Sequence, residues 1–296
     1  MSVLDRSMHF SGGRTGILLI HGLGGTPVEM RFIAIGLARA GYTVSCPQLA
    51  GHCASAADLK ATRWQDWYAS VEAAHDKLCE DCDTVIVGGL SMGALLALHL
   101  AAQRPDRVQG LALFAPTLRL DGWSIPWYAR LFGLVQSKRV ADLIDFVERE
   151  PYGVKDARVR GLISAALNSG DSSQAGQLST PGRAMLELRW LAKAVGAELG
   201  AIEQPVLLLH PRDDDRASIT NAFHLQRKLA GSVEMVVLED SYHIVTLDRQ
   251  RHVVMERTSR FAADVRRRIH EQNSAAAMRR TLPVPPIRAE SASFAA

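Results

Sequence analysis

The sequence predicts an α/β protein: a mostly parallel sheet with helices on both faces and a helical cap inserted before the acid-bearing strand. Three observations carry this. Short runs that are apolar throughout, such as Gly16–Ile20 and Thr84–Leu90, suit strands buried on both faces. Segments with apolar residues at three- and four-residue steps separate them, as helices between parallel strands require. Third, at 296 residues with 47% hydrophobic and 22% charged residues, the chain can bury a large core without disulfides or metals.

The elements follow in order. Gly16–Ile20 is a strand that ends in His21-Gly22, and Pro27 after the Gly-rich turn opens a helix at its first position. Phe32, Ile35, Leu37 and Ala38 carry helical periodicity up to Gly41, and Tyr42–Cys46 is a strand stopped by Pro47. Trp64, Trp67, Tyr68, Val71, Ala74 and Leu78 define an amphipathic helix. Thr84–Leu90 is a strand, Met92–Gln103 a helix closed by Arg104-Pro105-Asp106, and Val108–Ala115 a strand. Pro205–His210 and Val233–Leu238 are the last strands, with helices over Thr220–Leu229 and Arg251–Ile269.

The alternation breaks between Thr117 and Ala201, where helices without strands are expected over Ile125–Val135, Arg139–Arg149, Ala157–Leu167 and Ala184–Val195. An excursion of this length reads as a cap over residues 119–201, with Gly170–Gly182 a mobile connection inside it. Residues 1–118 and 202–270 form the core, and 271–296, rich in Ala, Ser, Arg and Pro, read as a disordered tail.

Composition excludes several classes. A net charge of +3, from 34 Lys and Arg against 31 Asp and Glu, gives no field for nucleic acid. The longest apolar runs are far short of the roughly 20 residues that span a bilayer, so no stable membrane insertion is expected. Met1–Phe10 carries Asp5 and Arg6 and lacks the apolar stretch of a secretory signal. Four cysteines in a domain this large suit a reduced, cytoplasmic protein. Cys79-Glu80-Asp81-Cys82 has redox-like spacing without a second ligand pair, so two unpaired thiols are the simplest reading.

The chemistry starts at Gly89-Leu90-Ser91-Met92-Gly93, a G-x-S-x-G pentapeptide between a buried strand and a helix. The glycines permit a sharp turn and close helix packing, and the serine hydroxyl is held out at the top of the sheet. A serine that only caps the helix is the plain alternative. A hydroxyl becomes a competent nucleophile only when a base takes its proton and an acid fixes the base's tautomer. Of ten histidines, His9, His21, His52, His75, His99 and His210 precede the last strand-and-loop units, while His224, His252 and His270 fall in helices. His243 alone follows the last strand in a loop, at the sheet edge where ligands gather. The acid belongs after the preceding strand, in Arg212-Asp213-Asp214-Asp215. Asp214 is the first choice and Asp213 the second, with a solvated turn expected for the other two carboxylates. For the oxyanion, the Met92 amide follows the serine, and the Leu23 amide lies in the loop His21-Gly22-Leu23-Gly24-Gly25-Thr26.

These stretches, with Gly51-His52, Arg63-Trp64-Gln65-Asp66-Trp67 and His243-Ile244-Val245-Thr246-Leu247-Asp248, resemble the α/β-hydrolase superfamily. More narrowly, they are similar to the small bacterial carboxylesterases and monoacylglycerol lipases over about Gly16–Ile269. The resemblance implies the α/β-hydrolase fold, a triad of Ser91, Asp214 and His243, Leu23 and Met92 amides as oxyanion hole, and no cofactor or metal. It implies a small ester as partner, with lipid-like esters among the candidates. The chain departs from that branch at Leu49-Ala50-Gly51-His52-Cys53 and in its longer cap, both of which bear on the pocket.

Three further residues are candidates for substrate binding. His52 would line the pocket mouth and meet the leaving group, or serve as a hydrogen-bonding turn residue, the commoner case. Trp123 and Trp127 head an apolar set in the cap, with Ile125, Tyr128, Leu131 and Phe132, that would line an acyl tunnel, touch lipid, or pack the cap onto the body, the default. The expected activity is cleavage of carboxylic esters with an apolar acyl chain. A thioesterase or acyltransferase would use the same triad, and a non-catalytic ligand-binding protein would keep the fold alone.

Overall fold

The computed structural model describes residues 5–168, 172 and 176–281. Its centre is a seven-stranded sheet ordered β1-β3-β2-β4-β5-β8-β9. The strands are β1 (Met8–Phe10), β2 (Thr15–Ile20), β3 (Thr43–Cys46), β4 (Thr84–Leu90), β5 (Gly110–Phe114), β8 (Val206–Pro211) and β9 (Val233–Leu238). Only β1 runs antiparallel, against β3; every other pair is parallel. Strand β1 lies where the sequence suggests none, because three residues are too few to display a period.

Strands β2, β4, β5 and β8 are buried along their whole length. Their residues alternate between two cores: Leu18, Ile20, Val85 and Val87 face one side, Ile17, Leu19 and Ile86 the other. The first core is covered by α3 (Trp64–Asp81), α4 (Met92–Gln103), α7 (Gly182–Glu198) and α8 (Thr220–Lys228). The second is covered by α1 (Arg31–Arg39) and α9 (Arg251–Thr281). Helix α4 is buried from Met92 to Ala101, which is why its sequence is apolar all round. Helix α2 (Ala56–Ala61), absent from the sequence reading, is one short turn fixed by a Ser55–Asp58 capping box.

Four expectations need correction. The stretch expected as one helix over Arg139–Arg149 is a single turn, α5 (Lys138–Ala141), followed by strand β6 (Asp145–Val147). That strand pairs antiparallel with β7 (Ser179–Pro181), so the insertion is not purely helical. Ile125–Val135 holds a 3-10 helix over Trp127–Leu134, and α6 spans Ala157–Asn168. Ala184, Leu188, Leu191 and Val195 of α7 sit in the main core beside α4, so the chain has rejoined the body by Gly182 rather than at Ala201. Finally, α9 continues to Thr281, past the expected end at Ile269; the rest of the expected tail lies outside the described residues. Within the expected connection Gly170–Gly182, residues 170, 171 and 173–175 also lie outside them.

Among the described residues no helix is long and apolar enough to cross a membrane. All four cysteines are free.

Trp67 is fully buried in the first core and donates its indole N–H to Thr62 Oγ1 at 2.8 Å. Trp67→Ala is expected to cost about 3–5 kcal/mol, the usual range for emptying such a site. Urea unfolding followed by circular dichroism should show a lower midpoint with an unchanged slope.

Candidate active site

Strand β4 ends at Leu90 and α4 begins at Met92, so Ser91 alone turns the chain. It does so at φ 56° and ψ −113°. For a non-glycine residue this conformation costs of order 1–3 kcal/mol and persists only where the surroundings impose it. Two contacts impose it here. A Cβ on Gly89 would lie 2.3 Å from the carbonyl carbon of Gly93, and a Cβ on Gly93 would lie 2.2 Å from Ile20 O. Only glycine allows β2, β4 and α4 to approach so closely. The Ser91 amide is fixed by donation to Phe114 O at 2.9 Å.

The loop after β2 lies directly against this turn: a Cβ on Gly22 would sit 3.6 Å from Ser91 Cβ. Leu23 is the next residue of that loop. Met92 opens α4, so its amide is among those with no intrahelical acceptor, at the positive end of the helix dipole. Of the two amides expected to hold an oxyanion, one therefore belongs to the loop after β2 and the other to the first residue of α4.

Asp214 and His243 are brought together as expected. His243 Nδ1 lies 2.9 Å from Asp214 Oδ2 and 3.0 Å from Oδ1. Asp214 is 2% exposed, and its Oδ1 also accepts the amides of Arg216 and Ala217, each at 2.8 Å. Burial alone would raise the Asp214 pKa. The facing His243, its hydrogen bond, His210 and the Ala217 amide outweigh burial and hold the carboxyl below its ordinary value. The bond to Nδ1 leaves Nε2 as the ring nitrogen free for a serine proton.

Among the described residues Ser91 Oγ has its hydrogen bond with Thr117 Oγ1, at 3.1 Å, and not with His243. Thr117 is buried and donates its own proton to Ala115 O at 3.1 Å, so it accepts from the serine. Without substrate such serine–histidine contacts are commonly open and form in the Michaelis complex.

Three residues near the site escape sequence reasoning. Thr117 is one. Asp215, expected in a solvated turn, is instead buried and accepts the His243 amide at 3.2 Å. Burial raises its carboxyl, although Arg216 and His243 oppose this. The three adjacent aspartates thus diverge: Asp213 is exposed, Asp214 holds the ring of His243 and Asp215 its backbone. The third is Glu29, whose Oε2 accepts the Gly22 amide at 3.1 Å. A Cβ on Gly25 would fall 2.3 Å from Glu29 Oε1, so this glycine leaves room for the carboxyl. Burial pushes Glu29 up to about 7, against the pull of the Gly22 amide, Arg216 and His243. Its one sequence signal is an acid in the first turn after Pro27.

The three residues expected to bind substrate lie in different settings. His52 is 1% exposed and therefore does not stand at a pocket mouth. Its Nδ1 bonds Ala50 O at 3.0 Å, and its ring packs edge-on against His21 and Trp67. Burial pushes it down to about 4, so it is neutral at physiological pH. Trp123 is 60% exposed and Trp127 75%. Trp123 donates its indole N–H to Asp213 O at 3.0 Å and packs edge-on against Tyr242, beside the acid and base loops. Trp127 packs edge-on against Tyr128. Packing of this cap set onto the body, the default expectation, is therefore met only in part: Trp123 contacts Tyr242 and Asp213 yet, like Trp127, Tyr128 and Leu131, is largely exposed, and Phe132 alone of the six is buried, edge-on to Phe146.

The chain is similar to several known proteins. The chain is 31% identical over 252 residues to a thermostable monoacylglycerol lipase of Bacillus sp. (strain H-257), covering 85% of this chain and 91% of that protein. It is 22% identical over 259 residues to a carboxylesterase of Bacillus subtilis (strain 168), covering 85% and 94%. A solved structure from work on LipS and LipT, two metagenome-derived lipolytic enzymes, matches at a TM-score of 0.74 and 28% identity, covering 87% of this chain and 97% of that one. The family model described as serine aminopeptidase, S33, matches residues 13–250, well over half of the sequence. The chain belongs to this family of α/β-hydrolase serine hydrolases.

Proposed function

We propose that the protein cleaves carboxylic esters with an apolar acyl chain through an acyl-enzyme on Ser91. The observation that carries this is the Asp214–His243 Nδ1 hydrogen bond beyond β8 and β9, at the same sheet edge as the strained Ser91 turn. Ser91 Oγ leaves Thr117, gives its proton to His243 Nε2 and attacks the ester carbonyl. The oxyanion is received by the Leu23 and Met92 amides, each such donor being worth about 10²–10³ in rate. His243⁺ returns the proton to the departing alcohol. Water, deprotonated by His243, then attacks the acyl-enzyme and releases the acid and free Ser91. Asp214 holds the tautomer throughout and stabilises the imidazolium.

The identity to a monoacylglycerol lipase and the similarity to a carboxylesterase support an ester as substrate. The solvent-facing aromatic and leucine side chains of the cap support an apolar acyl group. Trp123, over the acid and base loops, is the residue of this set we assign to the rim of the acyl site. Four free thiols fit a reducing compartment, and we place the protein in the cytoplasm.

Ser91→Ala is expected to lower kcat on p-nitrophenyl esters and monoacylglycerols by about 10⁵–10⁶-fold. Asp214→Asn, which presents an N–H to His243 Nδ1, should lower it by about 10⁴-fold. Parent-like turnover by Ser91→Ala would refute the mechanism. Faster cleavage of acyl-CoA or of aminoacyl nitroanilides than of matched esters would refute the ester reading.

Glu29 makes a separate prediction. The unfolded chain loses this proton near 4.5 and the folded chain near 7. The stabilisation from the neutral folded carboxyl is therefore complete below 4.5 and lost as the pH rises through 7. Glu29→Gln keeps an acceptor for the Gly22 amide but does not titrate. Urea midpoints measured from pH 5 to pH 8 should thus fall for the parent relative to Glu29→Gln; parallel curves would contradict the burial argument.

A further inference from the structure

Asp248 is fully buried and lies outside the triad. Its carboxylate accepts four backbone amides, two from each of two segments. Oδ1 accepts Asp156 N and Arg249 N, both at 2.9 Å. Oδ2 accepts Lys155 N at 2.8 Å and Tyr242 N at 2.7 Å. Tyr242 immediately precedes His243, and Lys155 and Asp156 belong to the cap stem between β6 and α6. A second joint runs beside the first. Ile244 N donates to Gly153 O at 2.7 Å, and a Cβ on Gly153 would lie 3.4 Å from His243 Cβ. The stem is also tied to the acid's loop, where Arg216 makes a two-pronged ion pair with Glu148.

We propose that Asp248 is a positioning residue that makes the cap stem and the His243 loop a single rigid body, so that the cap sets the placement of the catalytic base. The inference rests on the reading of His243 as that base. Its physical basis is the cost of stranding a donor. Hydrogen bonds to an ionised acceptor are among the strong ones, and a buried amide left without an acceptor is penalised. Neither segment can slide against the other without opening two amides at a buried carboxylate. Displacement of the stem is thereby transmitted to the backbone on either side of His243, and misplacement of a reacting group by about 1 Å is enough to cost up to roughly 100-fold in rate.

The test uses the full chain and p-nitrophenyl acetate, whose acyl group is too short to make extensive contact with a cap. Asp248→Asn replaces one acceptor oxygen by an N–H donor. Lys155→Pro deletes one amide from the cap side together with the side chain whose ammonium pairs with Asp240 and lies over the Tyr242 ring; Lys155→Ala loses the same side-chain contacts but keeps that amide, so the difference between the two reads the amide. Reactive Ser91 is counted with a fluorophosphonate probe, so kcat is read per competent site, and urea midpoints are measured in parallel. Asp248→Asn and Lys155→Pro should lose about 10- to 100-fold in kcat with KM little changed, while Lys155→Ala stays within about twofold of the parent. A merely structural Asp248 would lower the urea midpoint and leave kcat per reactive serine unchanged, and that result overturns the proposal. Should Asp248→Asn fail to fold, Lys155→Pro decides alone: a parental kcat overturns the coupling. A parent inert towards esters and towards the probe would defeat the reading of the active site itself, whereas an active parent with parent-like variants defeats only the coupling.

Discussion

The site depends on one constraint, the contact between backbones at the β4–α4 turn. Gly93 lies where a side chain would strike Ile20 O, and Gly89 where one would strike Gly93. The approach draws α4 down onto β2 and β4, and the geometry left to Ser91 is the strained one it adopts. The rest follows from that pinch. The loop after β2 has to pass beside Ser91, which brings Gly22, the residue before Leu23, to the serine. The first amides of α4 face the same space with no intrahelical acceptors. The strained serine and the free first amides of α4 are thus consequences of one packing contact rather than separate features.

Charge is handled with the same economy around the base. Asp213, Asp214 and Asp215 are chemically identical neighbours, yet the turn after β8 sends them to three environments. Asp214 remains ionised against its own burial because His243, His210 and two amides converge on it. Asp215, facing the His243 backbone instead of the ring, lacks comparable support and is raised. A buried carboxylate is tolerable where donors surround it. Glu29, with one amide donor, is pushed to about 7 by the same logic.

What the sequence disclosed depended on how far each feature is a local matter. The strands Thr84–Leu90 and Val233–Leu238 and the helix Met92–Gln103 are readable to the residue, because each is a largely apolar run that polar or turn-forming neighbours cut off sharply. Strand order pointed to Arg212-Asp213-Asp214-Asp215 for the acid and to His243 for the base, with Asp214 the first choice and Asp213 the second; it is Asp214 that pairs with His243. The cap was not. Residues 139–149 carry apolar side chains at spacings compatible with a helix, but β6 pairs with β7 from more than 30 residues away, and no local pattern encodes a two-stranded pairing of three residues. Thr117 and Glu29 were missed for a related reason. Neither belongs to a motif, and each matters only because the fold carries it to Ser91 or to Gly22. The aromatic set of the cap misled in the opposite direction: apolar composition suggests packing, and here most of it faces water.

The insertion raises the question of how a serine and a histidine stay aligned when a long segment separates them in the chain. The answer lies in the pairing of β5 with β8. Ser91 is registered to β5 twice, by its amide on Phe114 O and by its hydroxyl on Thr117. Asp214 and His243 are registered to β8 and β9, which pair from Val206↔Val233 to Pro211↔Leu238. The two halves meet where Phe114 pairs with Leu209 and Ala115 N donates to Leu209 O at 2.8 Å. The insertion leaves the sheet after β5 and returns before β8, so it connects two strands that are already neighbours. Its length then enters only as a slowly growing loop-closure entropy and does not shift the register that aligns the site. A cap built this way is free to vary in size and content while the register of Ser91 with Asp214 and His243 stays in place.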